Sequence, residues 1–84
     1  MRPVKKQIIV FSQPGCPPCD WLKAYLTENG LDFEIKDVSS DPAAAHELTE
    51  KYHSRSTPTL VIGQTVVIGF DPARIQEILS EENG

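Results

Sequence analysis

Cysteine is scarce in this chain: 84 residues hold two, both inside "QPGCPPCDW" (13–21). A long apolar run is missing too. The run that follows the basic start "MRPVKK", from Ile8 to Phe11, is four residues long. A membrane span takes about 20 apolar residues, and a secretory leader takes a longer apolar region and a small-residue cleavage site. Neither is seen, so a cytoplasmic location and no membrane partner are expected. A long basic run is also lacking and the net charge is −4, which argues against nucleic acid as a partner. Repeats, low-complexity tracts and linkers are absent, and the length has room for a single domain spanning 1–84. A hydrophobic fraction of 39% with 24% charged residues suits a soluble globular fold.

The shortage of cysteine narrows what the pair can be. Small secreted domains use several bridges to compensate for a weak core. One bridge closing so short a loop removes little chain entropy, so a structural disulfide fits poorly. Structural zinc takes four ligands, and no second CxxC exists. His46 and His53 are seven apart, outside the usual gap of about three to five, and are expected at the surface of the second helix or just after it. Metal or iron–sulfur binding through Cys16 and Cys19 remains an alternative, as does a non-catalytic binding module. A redox pair leads.

Proline and glycine divide the rest of the chain. "QIIVF" (7–11) is a short apolar run rich in β-branched residues, as expected of a central strand. Helical spacing over Pro17–Asn29 puts Cys19, Leu22 and Leu26 on one face with Tyr25 beside them, and Gly30 is a natural stop. "DFEIKDV" (32–38) alternates, with Phe33 and Ile35 on one face of a second strand. Asp41 and Pro42 open a second helix with Ala45, Leu48 and Tyr52 as its apolar stripe. "TLVI" (59–62) and "TVVI" (65–68) flank Gly63-Gln64 as a tight hairpin. Asp71 and Pro72 start a third helix with Ile75, Ile78 and Leu79 inward. The order β-α-β-α-β-β-α predicts an α/β fold: a mixed four-stranded sheet with helices on both faces.

Cys16-Pro17-Pro18-Cys19 therefore falls where the first strand gives way to the first helix. A thiol with an ordinary pKa near about 8.5 is mostly protonated at neutral pH. The free N–H groups and positive dipole end of a helix favour an anion, so the Cys16 thiol is expected to have a lowered pKa. Cys19, one turn on, is within reach to resolve a mixed disulfide on Cys16. Pro17 and Pro18 are tolerated in a first turn and stiffen the loop. Asp20 reads as ordinary first-turn charge. Trp21 reads as packed or half buried beside the helix, with a contact surface flanking the site as the alternative.

With "PGCPPC" ending a strand, "STPT" opening the third strand and "GFD" before the last helix, the chain resembles a glutaredoxin of the thioredoxin superfamily from Gln7 to about Leu79. The resemblance implies a thioredoxin-like fold and a dithiol–disulfide oxidoreductase contributing to redox homeostasis and electron transfer. It implies a cis Pro58 facing the site and a Thr57 whose backbone pairs with the substrate's extended chain. Glutathione-using members commonly carry CPYC, a Lys three positions before the first Cys, and a Gly-Gly pair. Here Pro18, Gln13 and Gly69-Phe70 stand at those positions. Arg55 and Asp71 match positions near glutathione's carboxylate and amine. The "GF" pair looks more like the NrdH-type redoxins, thiol donors of ribonucleotide reductase that draw electrons from thioredoxin reductase, although "IGFDPARI" lacks their full "SGFRPD". The expected site is thus Cys16 and Cys19 as the reacting pair, with Gln13, Pro17, Pro18, Arg55, Thr57, Pro58, Gly69, Phe70 and Asp71 meeting the substrate. The expected partners are a disulfide-containing protein, ribonucleotide reductase among the candidates, and either glutathione or NADPH-dependent thioredoxin reductase as electron source. No bound cofactor or metal is expected, and the protein is expected to be a monomer.

Overall fold

The computed structural model describes residues 7–83; the basic opening stretch, 1–6, lies outside them. Among the described residues the elements follow the expected order: β1 (Ile8–Ser12), α1 (Pro17–Glu28), β2 (Glu34–Asp37), α2 (Pro42–Glu50), β3 (Thr59–Ile62), β4 (Thr65–Ile68) and α3 (Pro72–Asn83). The sheet runs β2-β1-β3-β4. β1 pairs in parallel with β2 and antiparallel with β3, and β3 pairs antiparallel with β4. A parallel pair needs a long crossover, supplied by α1, whereas Gly63 and Gln64 suffice to reverse the chain between β3 and β4.

β1 is buried along its whole length, as its apolar sequence requires of a strand with a layer on each side. Its alternate residues serve two clusters. Ile8 and Val10 join Leu60, Ile62 and Val67 beneath Leu22 and Leu26 of α1 and Ile75, Ile78 and Leu79 of α3. Ile9 and Phe11 join Val61 beneath Ala44 and Leu48 of α2. The period of two along the strand thus places α1 and α3 on one face and α2 on the other.

Three details depart from the sequence expectations. The buried stripe of α2 starts at Ala44 and continues to Leu48, an i, i+4 pair; Ala45 is only half buried. Both spacings are helical, and only the packing angle of α2 against the sheet decides between adjacent alanines. β2 is shorter than 32–38, and its Ile35 is half exposed, at 50%, while Phe33 packs against the first cluster from just outside the strand. β2 is an edge strand, so less covers it. β1 reaches Ser12 because Ser12 pairs with Asp37.

The helix ends are built as their residues dictate. The Asp41 carboxylate accepts from the N–H of Ala43 at 3.0 Å and of Ala44 at 3.3 Å. After α1, Gly30 takes φ +71°, its N–H bonding Thr27 O at 3.0 Å, while Leu31 N–H bonds Leu26 O at 3.1 Å. That paired pattern fills two orphan carbonyls, and glycine adopts it without a Cβ clash.

Candidate active site

The register of the sheet carries the three short motifs to one end. Phe11 of β1 lies opposite Thr59 of β3, and Thr59 lies opposite Ile68 of β4. The cysteine loop that follows β1, the Thr57-Pro58 turn that precedes β3 and the Gly69-Phe70 turn that follows β4 must therefore meet. Gly69 N–H donates to Pro58 O at 2.8 Å, and the Thr57 hydroxyl donates to Cys16 Sγ at 3.9 Å. The Thr57–Pro58 peptide bond is cis, as the resemblance implied.

Cys16 is the N-cap residue of α1. Its Sγ accepts the Cys19 backbone N–H at 3.2 Å, and its carbonyl accepts the same N–H at 3.0 Å. Pro17 and Pro18 have no N–H, so Cys19 supplies the first amide hydrogen of the helix, and it points at the sulfur. Cys16 and Cys19 are joined as a disulfide with Cα atoms 5.2 Å apart, within the span such a bond bridges. The two cysteines differ in exposure: Cys16 retains 9% of its surface and Cys19 none. Cys19 is held under α1 by the same inward face that buries Leu22 and Leu26.

Around the pair, Pro17 is exposed, Pro18 and Thr57 are half buried, and Pro58 is buried. Gly69 and Phe70 are half buried. Gln13, Arg55 and Asp71 are exposed at loop positions, and the bonds joining the cysteine loop to its neighbours do not pass through them. Asp71 has a structural task as well, accepting the Arg74 N–H at 3.1 Å at the start of α3. Asp20 is exposed and lies 3.5 Å from Lys23, in keeping with ordinary first-turn charge.

Trp21 corrects its expectation. It is 56% exposed and not packed into the fold. With positions 19, 22 and 26 turned inward, position 21 projects well away from that stripe. Its ring leans on Phe70 at 6.3 Å between centroids, and Phe70 meets Tyr25 edge-on at 5.9 Å. Gln76 of α3 donates to the Tyr25 hydroxyl. An apolar strip thus flanks the cysteine loop. A helical wheel through Cys19 would have shown Trp21 facing out; no local signal announced Phe70 as its neighbour.

Among the described residues two charged groups have displaced pKa values, both on β2. Lys36 is raised, chiefly by its bond to Glu47 at 2.6 Å, and its ammonium sits 5.8 Å over the Phe11 ring. Asp37 is lowered, chiefly by the Ser39 hydroxyl and then by the Ser39 N–H. His46 is on α2 and His53 beyond its end, both exposed. Among the described residues no group of three or more His, Cys, Asp or Glu side chains lies close enough to share a metal ion.

The glutaredoxin family profile matches residues 8–67, which covers β1 to β3, β4 up to its last residue, and every part of the cysteine and Thr57-Pro58 loops. The chain belongs to the glutaredoxin family. Its members are thiol–disulfide oxidoreductases, and the Cys16–Cys19 pair stands where that chemistry needs it. The thioredoxin-like protein BC3987 is 43% identical, over 86% of this chain and 99% of that one, with a TM-score of 0.83. The NrdH-redoxin from Escherichia coli, described as a glutaredoxin-like protein with a thioredoxin-like activity profile, is 28% identical. It covers 86% of this chain and 93% of its own, with a TM-score of 0.76. The N-acetyl-S-hydroxy-L-cysteine reductase of Bacillus subtilis (strain 168) is 39% identical over 57 residues, 68% of this chain and 61% of that protein. The glutaredoxin-family chain therefore has the thioredoxin-like fold, a mixed four-stranded sheet with helices on both faces.

Proposed function

We propose that Cys16 is the attacking thiolate and Cys19 the resolving thiol of a dithiol mechanism. The unequal exposure of the two cysteines carries this reading: 9% of Cys16 reaches solvent and none of Cys19 does. Cys16 thiolate attacks one sulfur of a substrate disulfide, forming a mixed disulfide and expelling the other sulfur as a thiolate that takes up a proton. Cys19, deprotonated, then attacks the Cys16 sulfur. The Cys16–Cys19 bond forms, the mixed disulfide breaks, and the second substrate thiol leaves. Two electrons pass to the substrate and are restored by an external reductant. The Cys19 N–H at 3.2 Å and the Thr57 hydroxyl at 3.9 Å both donate toward Cys16 Sγ, and each favours the thiolate over the thiol. Thr57, beside the pair and next to Pro58, offers its main chain to an extended substrate segment.

For the electron source we favour a protein reductase of the thioredoxin reductase type over glutathione. The Trp21–Phe70–Tyr25 strip offers an apolar surface suited to a protein face, and Asp71, the group matched to the glutathione amine, already gives one carboxylate oxygen to the start of α3. Arg55 remains available to a carboxylate, and glutathione is the second reading for that reason. Disulfide-bearing proteins of the cytoplasm are the substrate class. A coupled assay of NADPH consumption with insulin as substrate separates the two donors. Turnover with thioredoxin reductase alone supports the first reading, and turnover only with glutathione and glutathione reductase overturns it.

A further inference from the structure

Beneath the Thr57-Pro58 turn lie two buried hydroxyls that take no part in the redox step: Ser54, 2% exposed, and Thr59, fully buried. Their bonds close a ring. The Ser56 N–H donates to Ser54 Oγ at 3.3 Å. Ser54 Oγ and Thr59 Oγ1 are 2.8 Å apart, and the Thr59 hydroxyl donates to Ser56 O at 2.6 Å. The Ser54 hydroxyl also lies 3.4 Å from the same Ser56 carbonyl, so both hydroxyls converge on it, and the shorter Thr59 bond leaves Ser54 free to donate to Thr59. Both the N–H and the C=O of Ser56 are then fixed by side chains that cannot turn to water.

The consequence falls on the next residue. Ser56 C=O and Thr57 N–H belong to one peptide plane and point in opposite directions. Drawing the carbonyl inward to Thr59 turns the Thr57 N–H the opposite way, away from the buried ring. We propose that Ser54 and Thr59 are positioning residues, which set the orientation of the Thr57 main chain and so the capture of peptide-borne disulfides. The proposal rests on the reading of Thr57 as a main-chain platform. Buried hydroxyl networks hold their geometry because an unpaired member is costly, and small displacements of a docking group lower reactivity sharply.

The test uses pre-reduced protein and follows formation of the Cys16–Cys19 disulfide by acid quench and mass shift, which needs no electron donor. Insulin serves as the peptide-borne disulfide and hydroxyethyl disulfide, which has no main chain, as the other. Thr59→Val is expected to raise the half-saturating insulin concentration by about fivefold or more, the scale of one lost buried hydrogen bond. Its limiting rate and its rate with hydroxyethyl disulfide should stay within about twofold. Thr59→Ser, which keeps the hydroxyl, should restore insulin capture. Equal losses with both disulfides, or unchanged insulin capture, would overturn the proposal. Ser54→Ala removes the other half of the ring and carries the same test should Thr59→Val fail to fold. Thr57→Pro, which removes the main-chain N–H that the platform offers, separates the layers. If it leaves insulin capture unchanged, the platform reading falls and the positioning proposal with it. If it impairs capture and Thr59→Val does not, only the positioning proposal falls.

Discussion

Two loops meet at the Cys16 sulfur, and they are stiffened by different means. The loop from Ser12 to α1 is restrained covalently: Pro14, Pro17 and Pro18 limit its backbone, and Gln13, Pro14 and Gly15 lie exposed at its tip. The loop from Ser54 to Thr59 is restrained by hydrogen bonds among buried hydroxyls under an exposed Arg55 and Ser56. The first holds the group that reacts, and the second faces it with Thr57. A reacting sulfur tolerates a stiff, solvent-facing mount, since the substrate comes to it. A platform for an extended chain needs its peptide planes aimed, and only directional bonds do that.

The comparison breaks most completely at the sulfur itself. Cys16→Ser should abolish disulfide reduction while leaving the denaturation midpoint of the reduced protein nearly unchanged. Cys19→Ser should stop at a mixed disulfide that mass spectrometry detects after mixing with insulin. If Cys16→Ser retained reduction and Cys19→Ser lost it, the assignment of attacking and resolving sulfurs would reverse. The next largest effect is at Phe11, which borders both loops. It is fully buried, leads into the cysteine loop, lies opposite Thr59 and touches Tyr52 at 5.6 Å between ring centroids. Phe11→Ala should cost about 3–5 kcal/mol of stability, read as a lower urea midpoint at constant slope.

Smaller changes act on the covalent loop alone. Gly15 has φ +73°, and a Cβ built there meets nothing within 4 Å. Gly15→Ala therefore meets backbone strain without a clash, and about 1–2 kcal/mol of destabilisation is expected by urea titration. A neutral result would mean the loop relaxes out of the left-handed region, and the stiffness assigned to it would be wrong. Pro18→Ala returns an amide N–H to the first turn of α1, where it adds a donor for the Cys16 thiolate. Alkylation of Cys16 by iodoacetamide should then extend to lower pH, with a gain of about threefold to tenfold at neutral pH. An unchanged profile would show that the donors already present, the Cys19 N–H and the Thr57 hydroxyl, set the sulfur's environment.

The two loops also differ in how far their sequence disclosed them. "CPPC" after an apolar strand names its own place, because proline at the first helical position and cysteine one turn apart have few other uses together. Pro58 was legible only through resemblance, and its cis bond matched. The Ser54–Thr59 ring was not legible. Serine and threonine are ordinary polar residues, and nothing local says that Ser54 lies buried beside Thr59 of β3 and that the two clamp Ser56 between them. That follows from Phe11 pairing with Thr59, a fact of register. The same limit explains Ala44 in place of Ala45, and Trp21 facing solvent against Phe70 of a distant turn. The apolar patterns of β1, α1 and α3 match the structure because a run buried on both faces in β1, and a single inward face in each helix, leave little to decide.

A third turn at the same end of the sheet sharpens the contrast between buried and exposed hydroxyls. Val38 N–H bonds Ser12 O at 3.0 Å, so the turn after β2 borders the cysteine loop. In it the Asp37 carboxylate accepts the Ser39 hydroxyl at 2.6 Å and the Ser39 N–H at 2.8 Å. These bonds lower the Asp37 pKa from its ordinary 3.8. A carboxyl depressed in the folded state adds stability that is present above the unfolded value and lost as pH falls through the folded one. The loss should therefore set in around 3.8 and grow as pH falls toward the folded value. Asp37→Asn should abolish that part of the acid decline, and Ser39→Ala should shrink it, both read as urea midpoints at about pH 5 and about pH 3. The effect should be the smallest of the series, because water competes for every partner of an exposed carboxylate. Thr59 makes a bond of the same length, 2.6 Å, where water does not reach. Should Ser39→Ala cost as much stability as Thr59→Val, burial would not be what makes the platform loop's ring matter, and the two kinds of loop would have to be distinguished on other grounds.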